Sequence, residues 1–314
     1  MSKVEILQMG SYSERDEKML EEQFKVHRYF DEKDQTAFLK EHGDAIKAIA
    51  TRGDLGADAA LINSLPNLEI ISIYGVGYDA VDIEAAKARG VHVTNTPDVL
   101  TKDVADLAIA MMLTLGRKVN EAADWARSDW ANTGMFPLTR RVHGKRAGVL
   151  GLGRIGYEIA RRLQGFDMDI NYNARAAHEL KEDWKYIADP IELAKNCDVL
   201  FVSLAASKQT HHIVNKDVLD ALGPDGMVIN ISRASNIDEI ALLDALEAKT
   251  LGSAALDVFE GEPDINPRFL DLDNVLLQPH HGSGTVETRE AMGELVFENL
   301  KAHFDGNKLP TPVV

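Results

Sequence analysis

The sequence predicts an α/β protein built from two doubly wound parallel sheets. Three observations predict it. Short apolar runs of strand length alternate with helical stretches over nearly the whole chain, the pattern of parallel sheets covered on both faces. A glycine-rich turn, Gly151-Leu152-Gly153-Arg154-Ile155-Gly156, stands between one such strand and one such helix. The length, 314 residues, suits two cores rather than one.

Residues 4–9 read as a short strand closed by Gly10. Residues 14–23 have helical spacing, 25–30 read as a second strand and 45–51 as a third. A helix over 57–65 ends at Pro66, and a strand over 68–74 runs into Gly75-Val76-Gly77. A helix over 83–89 closes at Gly90, and 91–94 is the next strand. Asn95-Thr96-Pro97-Asp98 makes a hinge, since proline biases its predecessor away from helix. One long helix is expected from 102 or 103 to about 127, with Val104, Leu107, Ala108, Met111 and Leu115 on its core face. Residues 128–142 read as irregular and carry Trp130, Met135 and Phe136. That much apolar area fits a subunit contact or a pocket wall, or a segment folded back on its own domain.

In the second unit, 147–150 is a buried strand and 157–164 a helix with Ile159, Ala160 and Leu163 on one face. Residues 169–173 form the next strand. Further strands are expected at 199–203, 227–232, 252–258 and 275–278, with helices at 215–222, 237–249 and 285–304. The last helix returns to the first unit. The expected division is therefore 1–97 plus 285–314, and 98–284 with an arm near 117–145.

The glycine turn carries the first chemistry. Gly151 allows a tight turn, Gly153 lets the backbone approach a pyrophosphate, and Gly156 lets the helix pack closely on the strand. The helix start then turns its free N–H groups toward phosphates. The second strand ends in Asn171-Tyr172-Asn173-Ala174-Arg175, without the acidic residue that would hold a ribose 2′-hydroxyl. Ala174 leaves room and Arg175 can pair with a 2′-phosphate, so NADP(H) is expected over NAD(H). The plain alternative is a solvated loop arginine.

Composition narrows the partners. Apolar content of 45 % and charged content of 27 % are ordinary for a soluble globular protein. A net charge of −16 disfavours nucleic acid and anionic membrane surfaces. Cys197 is the only cysteine, so an intrachain disulfide is impossible, and its strand-start setting reads as a structural thiol. The first ten residues do not read as a signal peptide, and no apolar run is long enough to span a bilayer. A cytoplasmic location is expected.

Three polar residues follow predicted strand ends in the second unit: Arg233, Glu262 and His280. Ligands of open α/β sheets bind outside those ends. An arginine can grip a carboxylate in two parallel bonds, a histidine can exchange a proton near neutral pH, and a carboxylate bonded to the histidine fixes its tautomer. Together they suit reduction of a 2-keto acid. Each also has a plain reading: a surface arginine, a turn residue before Pro263, a cap. His281 adjoins His280, so spacing alone leaves the acting histidine open. A metal at His280-His281 or His211-His212 is disfavoured, because neighbouring histidines on extended chain face opposite ways and no familiar ligand spacing accompanies them.

Over essentially its whole length the chain resembles the D-isomer-specific 2-hydroxyacid dehydrogenases. The resemblance is carried by Tyr74-Gly75-Val76-Gly77-Tyr78-Asp79, Asn95-Thr96-Pro97-Asp98-Val99-Leu100-Thr101 and the Gly151 turn. It continues in Val228-Ile229-Asn230-Ile231-Ser232-Arg233, Ala255-Leu256-Asp257-Val258-Phe259-Glu260-Gly261-Glu262-Pro263 and Pro279-His280-His281-Gly282-Ser283-Gly284-Thr285. The segment from Gly282 to Arg289 and the terminal Thr311-Pro312-Val313-Val314 are most similar to the glyoxylate/hydroxypyruvate and hydroxyphenylpyruvate reductase branch.

The resemblance implies a flavodoxin-like substrate domain, a Rossmann cofactor domain and an active site in the cleft between them. It implies His280 as acid/base, Glu262 as its partner and Arg233 on the substrate. It places Val76 and Gly77 N–H groups on the substrate carboxylate, with Tyr74 beside them. It places Asp257 on the nicotinamide carboxamide, Arg154 and Ile155 at the pyrophosphate, and Ser232 and His280 beside the cofactor. It also implies a homodimer joined through the cofactor domain, its arm matching the Trp130 to Phe136 region. The departures are Ala234 and Ser235 after the arginine, Val104 in place of a threonine, and a Leu204-Ala205-Ala206-Ser207 segment without the usual prolines. The expected activity is NADPH-dependent reduction of glyoxylate or hydroxypyruvate. Larger aromatic 2-keto acids, with Tyr74, Trp130 and Phe136 shaping the pocket, are the second reading. A dinucleotide-sensing corepressor is the third, disfavoured by the absence of extra recruiting segments.

Overall fold

The computed structural model describes residues 3–128 and 130–314. The chain divides into two compact units, Met1–Leu100 with Ser283–Val314, and Thr101–Gly282.

The first unit holds β1 (Glu5–Gln8), β2 (Lys25–Arg28), β3 (Ile46–Arg52), β4 (Ile70–Tyr74) and β5 (His92–Thr94). They pair in parallel in the order β2-β1-β3-β4-β5, so the winding reverses between β1 and β3. All five residues of β4 are buried, which explains its unbroken apolar run: helices cover both faces. Ile46, Ile49, Ile62, Ile71 and Val93 lie in its core. The helix Val286–Phe304 belongs to this unit and buries Met292, Val296 and Leu300. A Cβ at Gly293 would fall 2.2 Å from the Asp16 carboxylate, so only glycine admits the buried Asp16 there. The chain end pairs with the β5 edge: Val313 N–H donates to Val93 O at 2.7 Å.

The second unit holds β6 (Arg146–Leu150), β7 (Asp169–Asn173), β8 (Lys185–Tyr186), β9 (Val199–Val202), β10 (Met227–Asn230), β11 (Ser253–Leu256) and β12 (Val275–Leu277). Their order, β12-β11-β10-β9-β6-β7-β8, is again wholly parallel. It is the order of a dinucleotide-binding sheet, with the reversal between β6 and β9. The helix Arg154–Leu163 buries Ile159, Ala160 and Leu163. Cys197 is buried among the core residues, and burial pushes its thiol up to about 12, an inert structural group.

Three expectations need correction. The long helix over 102–127 is two helices, Thr101–Arg117 and Val119–Ser128. Lys118 between them has φ +49°, and the weak helix formers around it, Gly116, Val119 and Asn120, mark a break that the apolar period of the flanking helices hid. The segment expected to be irregular contains the short helix Trp130–Thr133. The strand expected over 227–232 stops at Asn230, whose Oδ1 accepts the N–H of Ser232 at 3.0 Å and turns the chain. Two short helices escaped the periodicity, Gln35–His42 and Pro190–Lys195. Both have a legible start signal, capping by Asp34 and Asp189. Among the described residues no helix is long and apolar enough to cross a membrane.

Candidate active site

The glycine turn follows β6 at the reversal point of the second sheet. Gly151 has φ +101°, a conformation a side chain would strain. A Cβ at Gly156 would lie 2.1 Å from the Gly151 carbonyl oxygen, so the helix can approach the turn only without one. At Gly153 a Cβ would meet no atom within 4 Å, so the backbone there faces open space. No side chain caps the helix behind it, and its first N–H groups suit an anion. Arg154 is exposed and Ile155 half-buried at this helix start. These features fit a dinucleotide pyrophosphate.

The ends of the adjacent strands β10, β11 and β12 bring the titratable groups together. His280 Nδ1 lies 2.6 Å from Glu262 Oε2. Glu262 Oε1 accepts the Phe259 N–H at 2.7 Å, which folds the loop after β11 back on itself. Burial works to raise the Glu262 carboxyl. The bonds from His280 and Phe259, with the nearby charges of His280 and Arg233, outweigh it and hold the group below its ordinary range. His280 has φ +50°, a region sparsely used by residues with a Cβ and often found at functional sites.

Asp257 accounts for how that backbone is held. It is 2 % exposed, and its two carboxylate oxygens accept the N–H groups of His281 and Gly282, each at 2.9 Å. Burial raises its pKa against those bonds. His281 turns its ring to Gln278 Oε1 at 2.7 Å, so of the two histidines it is His280 that meets a carboxylate. Glu239, also buried, accepts the Glu260 N–H at 2.9 Å and steadies the loop carrying Glu262. Sequence reasoning missed Glu239 and this anchoring part of Asp257. Their signal was weak: an acid among apolar residues at an element's edge. Arg233 is half-buried, and one guanidinium nitrogen donates to Ser232 O at 2.9 Å.

In the first unit, Tyr74 ends β4. Its ring stacks on Tyr12 at 4.7 Å and its hydroxyl donates to Arg289 O at 2.7 Å; burial raises its pKa to about 12. The following turn is braced by Asn95 Nδ2 on Val76 O at 2.8 Å and by Gly75 N–H on Thr96 Oγ1 at 3.0 Å. Among the described residues the N–H groups of Val76 and Gly77 meet no acceptor, as an anion-receiving turn requires.

The remaining expected residues are placed as follows. Ala174 is half-buried at the end of β7, and Arg175 is exposed without a hydrogen bond or ion pair among the described residues. Ser232 is buried, its hydroxyl donating to Asn230 Oδ1 at 2.8 Å. Phe136 packs edge-on against Trp125 at 5.7 Å, whereas Trp130, Met135 and Leu138 are 64 %, 91 % and 99 % exposed. The extended-chain argument against metal does not hold at His211-His212, where His212 has φ +50° and the two rings stack at 3.9 Å, nor at His280-His281, where His280 has φ +50°. Among the described residues no three His, Cys, Asp or Glu are grouped to hold a metal ion.

A doubly wound sheet with an open glycine turn at its reversal point, and a histidine–carboxylate pair with an arginine at neighbouring strand ends, defines a nucleotide-binding protein equipped for proton transfer. The chain belongs to the D-isomer-specific 2-hydroxyacid dehydrogenases: the model of their NAD-binding domain matches residues 109–282. The structure of 2-hydroxyacid dehydrogenase from Ketogulonicigenium vulgare Y25 superposes with a TM-score of 0.94 at 62 % identity, covering 100 % of this chain and 99 % of that one. NADPH-dependent glyoxylate/hydroxypyruvate reductase from Sinorhizobium meliloti, in complex with NADP and malonate, superposes with a TM-score of 0.92 at 40 % identity, covering 100 % and 97 %. Glyoxylate/hydroxypyruvate reductase A of Arabidopsis thaliana is 46 % identical over the full length of both chains.

Proposed function

We propose that this protein is an NADPH-dependent reductase of small 2-keto acids, glyoxylate and hydroxypyruvate first, yielding the D-2-hydroxy acids. The observation that carries this reading is the 2.6 Å Glu262–His280 contact at a strand end beside that of Arg233, in a chain of this family. The second unit serves as the dinucleotide-binding domain and the first as the substrate-binding domain.

When bound, the nicotinamide supplies the hydride that reduces the keto carbon. His280 gives its proton to the carbonyl oxygen, so the C=O becomes CH–OH with atoms and charge balanced. Glu262 holds the ring through Nδ1, which leaves Nε2 to donate. Arg233 grips the substrate carboxylate, and the Val76 and Gly77 N–H groups receive it, with Tyr74 at their side.

Gly151, Gly153, Arg154, Ile155 and Gly156 cradle the pyrophosphate, while Ser232, Asp257 and His280 flank the nicotinamide. Ala174 and Arg175 receive the 2′-phosphate, and the exposure of Arg175, with no hydrogen bond or ion pair among the described residues, supports that role. The reading includes a cytoplasmic homodimer joined through the cofactor domain. The exposed Trp130, Met135 and Leu138 support a subunit contact there.

The test is the initial rate with glyoxylate and with hydroxypyruvate, each with NADPH and with NADH. Faster oxidation of NADPH is expected with both acids. Preference for NADH would reject the cofactor choice alone, and no oxidation of either would reject the substrate class.

A further inference from the structure

Asn236 is the most deeply buried polar side chain near the arginine turn, with 0 % exposure. Its Nδ2 donates to Leu204 O and to Ser232 Oγ, both at 3.0 Å. Ser232 Oγ donates onward to Asn230 Oδ1 at 2.8 Å, and Asn230 Nδ2 donates to Arg233 O at 3.0 Å. The main-chain N–H of Asn236 reaches the same Arg233 carbonyl at 3.2 Å. Three buried side chains thus close a ring around the arginine's backbone, and each donor in it has an acceptor.

The other half of the amide is unpaired. Asn236 Oδ1 has no hydrogen-bond partner among the described residues. Rotating the amide would not help, because Leu204 O can only accept. An apolar side chain would bury with no unmatched polar atom of its own. The neighbouring Ile237 does so, at 2 % exposure. What an asparagine adds here is the pair of donors on Nδ2.

Those donors join two strand ends. Leu204 begins the proline-free segment after β9, and Ser232 and Arg233 follow β10, its neighbour in the sheet. The segment from 204 to 207 is otherwise tied by Thr210 Oγ1 on Ala205 O at 2.8 Å and by the Ser207–Thr210 contacts. Hydrogen bonds stand where ring closure would have stiffened the backbone.

We propose that Asn236 is a positioning residue for Arg233, its side-chain amide locking the arginine turn to the end of β9 so that the guanidinium is held ready for a substrate carboxylate. The proposal rests on the reading of Arg233 as the substrate arginine. The readout is binding of oxamate, a non-reducible 2-keto acid analogue, to the NADPH-loaded enzyme, together with KM and kcat for glyoxylate. Asn236→Leu keeps the branched four-atom shape of the side chain and removes both donors. It is expected to weaken oxamate and raise the glyoxylate KM by roughly tenfold or more, the scale of effect that loss of a held geometry produces. NADPH affinity and kcat should change far less. In an Arg233→Ala background the same substitution should add nothing, since interacting residues are not additive. Asn236→Ser, which retains one donor, covers the case in which the leucine variant does not fold and should give a smaller effect of the same kind. Equal weakening of oxamate in both backgrounds, NADPH affinity falling as much as oxamate affinity, or unchanged oxamate binding in Asn236→Leu and Asn236→Ser would each overturn the proposal. If Arg233→Ala itself leaves oxamate binding unchanged, the reading of Arg233 fails, and the role of Asn236 with it.

Discussion

In the first unit the strand order reverses between β1 and β3, and the turn after β1 is filled. A Cβ at Gly10 would meet Leu55 Cδ1 at 2.5 Å, and Tyr12 lies stacked on Tyr74. In the second unit the order reverses between β6 and β9, and a Cβ at Gly153 would meet no atom within 4 Å. Two sheets of one architecture therefore differ in what fills the crevice that doubly wound topology creates. Topology supplies the crevice, and local side chains decide whether it stays a site. The strand ends differ as well. Those of the second unit carry Arg233, Glu262 and His280, whereas β4 of the first leads to backbone N–H groups at Val76 and Gly77.

The sharpest test of this difference is His280→Ala. Loss of the acid/base group should lower kcat by roughly 10² to 10⁴, with NADPH binding retained. Turnover at the wild-type rate would remove the second unit's claim to the chemistry. Next comes a paired substitution at the two reversal points. Gly153→Val should weaken NADPH by roughly hundredfold, because the backbone can no longer approach the pyrophosphate, with little change in Tm. Gly10→Ala has only to push aside the end of the exposed Leu55 side chain, so it should cost at most about 1 kcal/mol of stability and leave NADPH affinity alone. If titration and melting curves showed the same response to both, the contrast would collapse.

A smaller effect is expected at Arg175. A charge-assisted hydrogen bond is worth about 1.5–3 kcal/mol, so Arg175→Ala should weaken NADPH by roughly tenfold or more and NADH hardly at all. Equal losses would make Arg175 a solvated loop residue. The smallest effect concerns pH. The Glu262 carboxyl is held below its ordinary range, so it adds stability above that range and loses the contribution as pH falls through its lowered pKa. Glu262→Gln should therefore lower Tm at neutral pH, and the gap to wild type should close in acid. A gap independent of pH would mean that the His280 contact contributes no charge-dependent stability.

Much of this was legible along the chain because its causes are local. Strand and helix alternation and the roles of Gly151, Gly153 and Gly156 depend on residues a few positions apart. So does the naming of Arg233, Glu262 and His280 as strand-end residues. The caps at Asp34 and Asp189 are equally local, yet their two short helices were missed. Family resemblance singled out His280 over His281, and the contact geometry supplies a physical ground: one ring meets Glu262, the other Gln278. The break at Lys118 was missed because the apolar period runs on from one helix to the next, although Gly116, Val119 and Asn120 around the left-handed residue are weak helix formers.

The sequence by itself determined the α/β class, the order of the elements and the open turn, since hydrophobic period and glycine placement are properties of neighbouring residues. Tertiary structure decided which of the two reversal points is filled. It also decided how Asp257 holds the backbone after His280 and how Asn236 is tied to Leu204 and Ser232. Asp257 meets His281 and Gly282 from 24 and 25 positions away, and Asn236 meets Leu204 from 32. Contacts at such separations exist only once parallel strands lie side by side, and no periodicity along the chain encodes them.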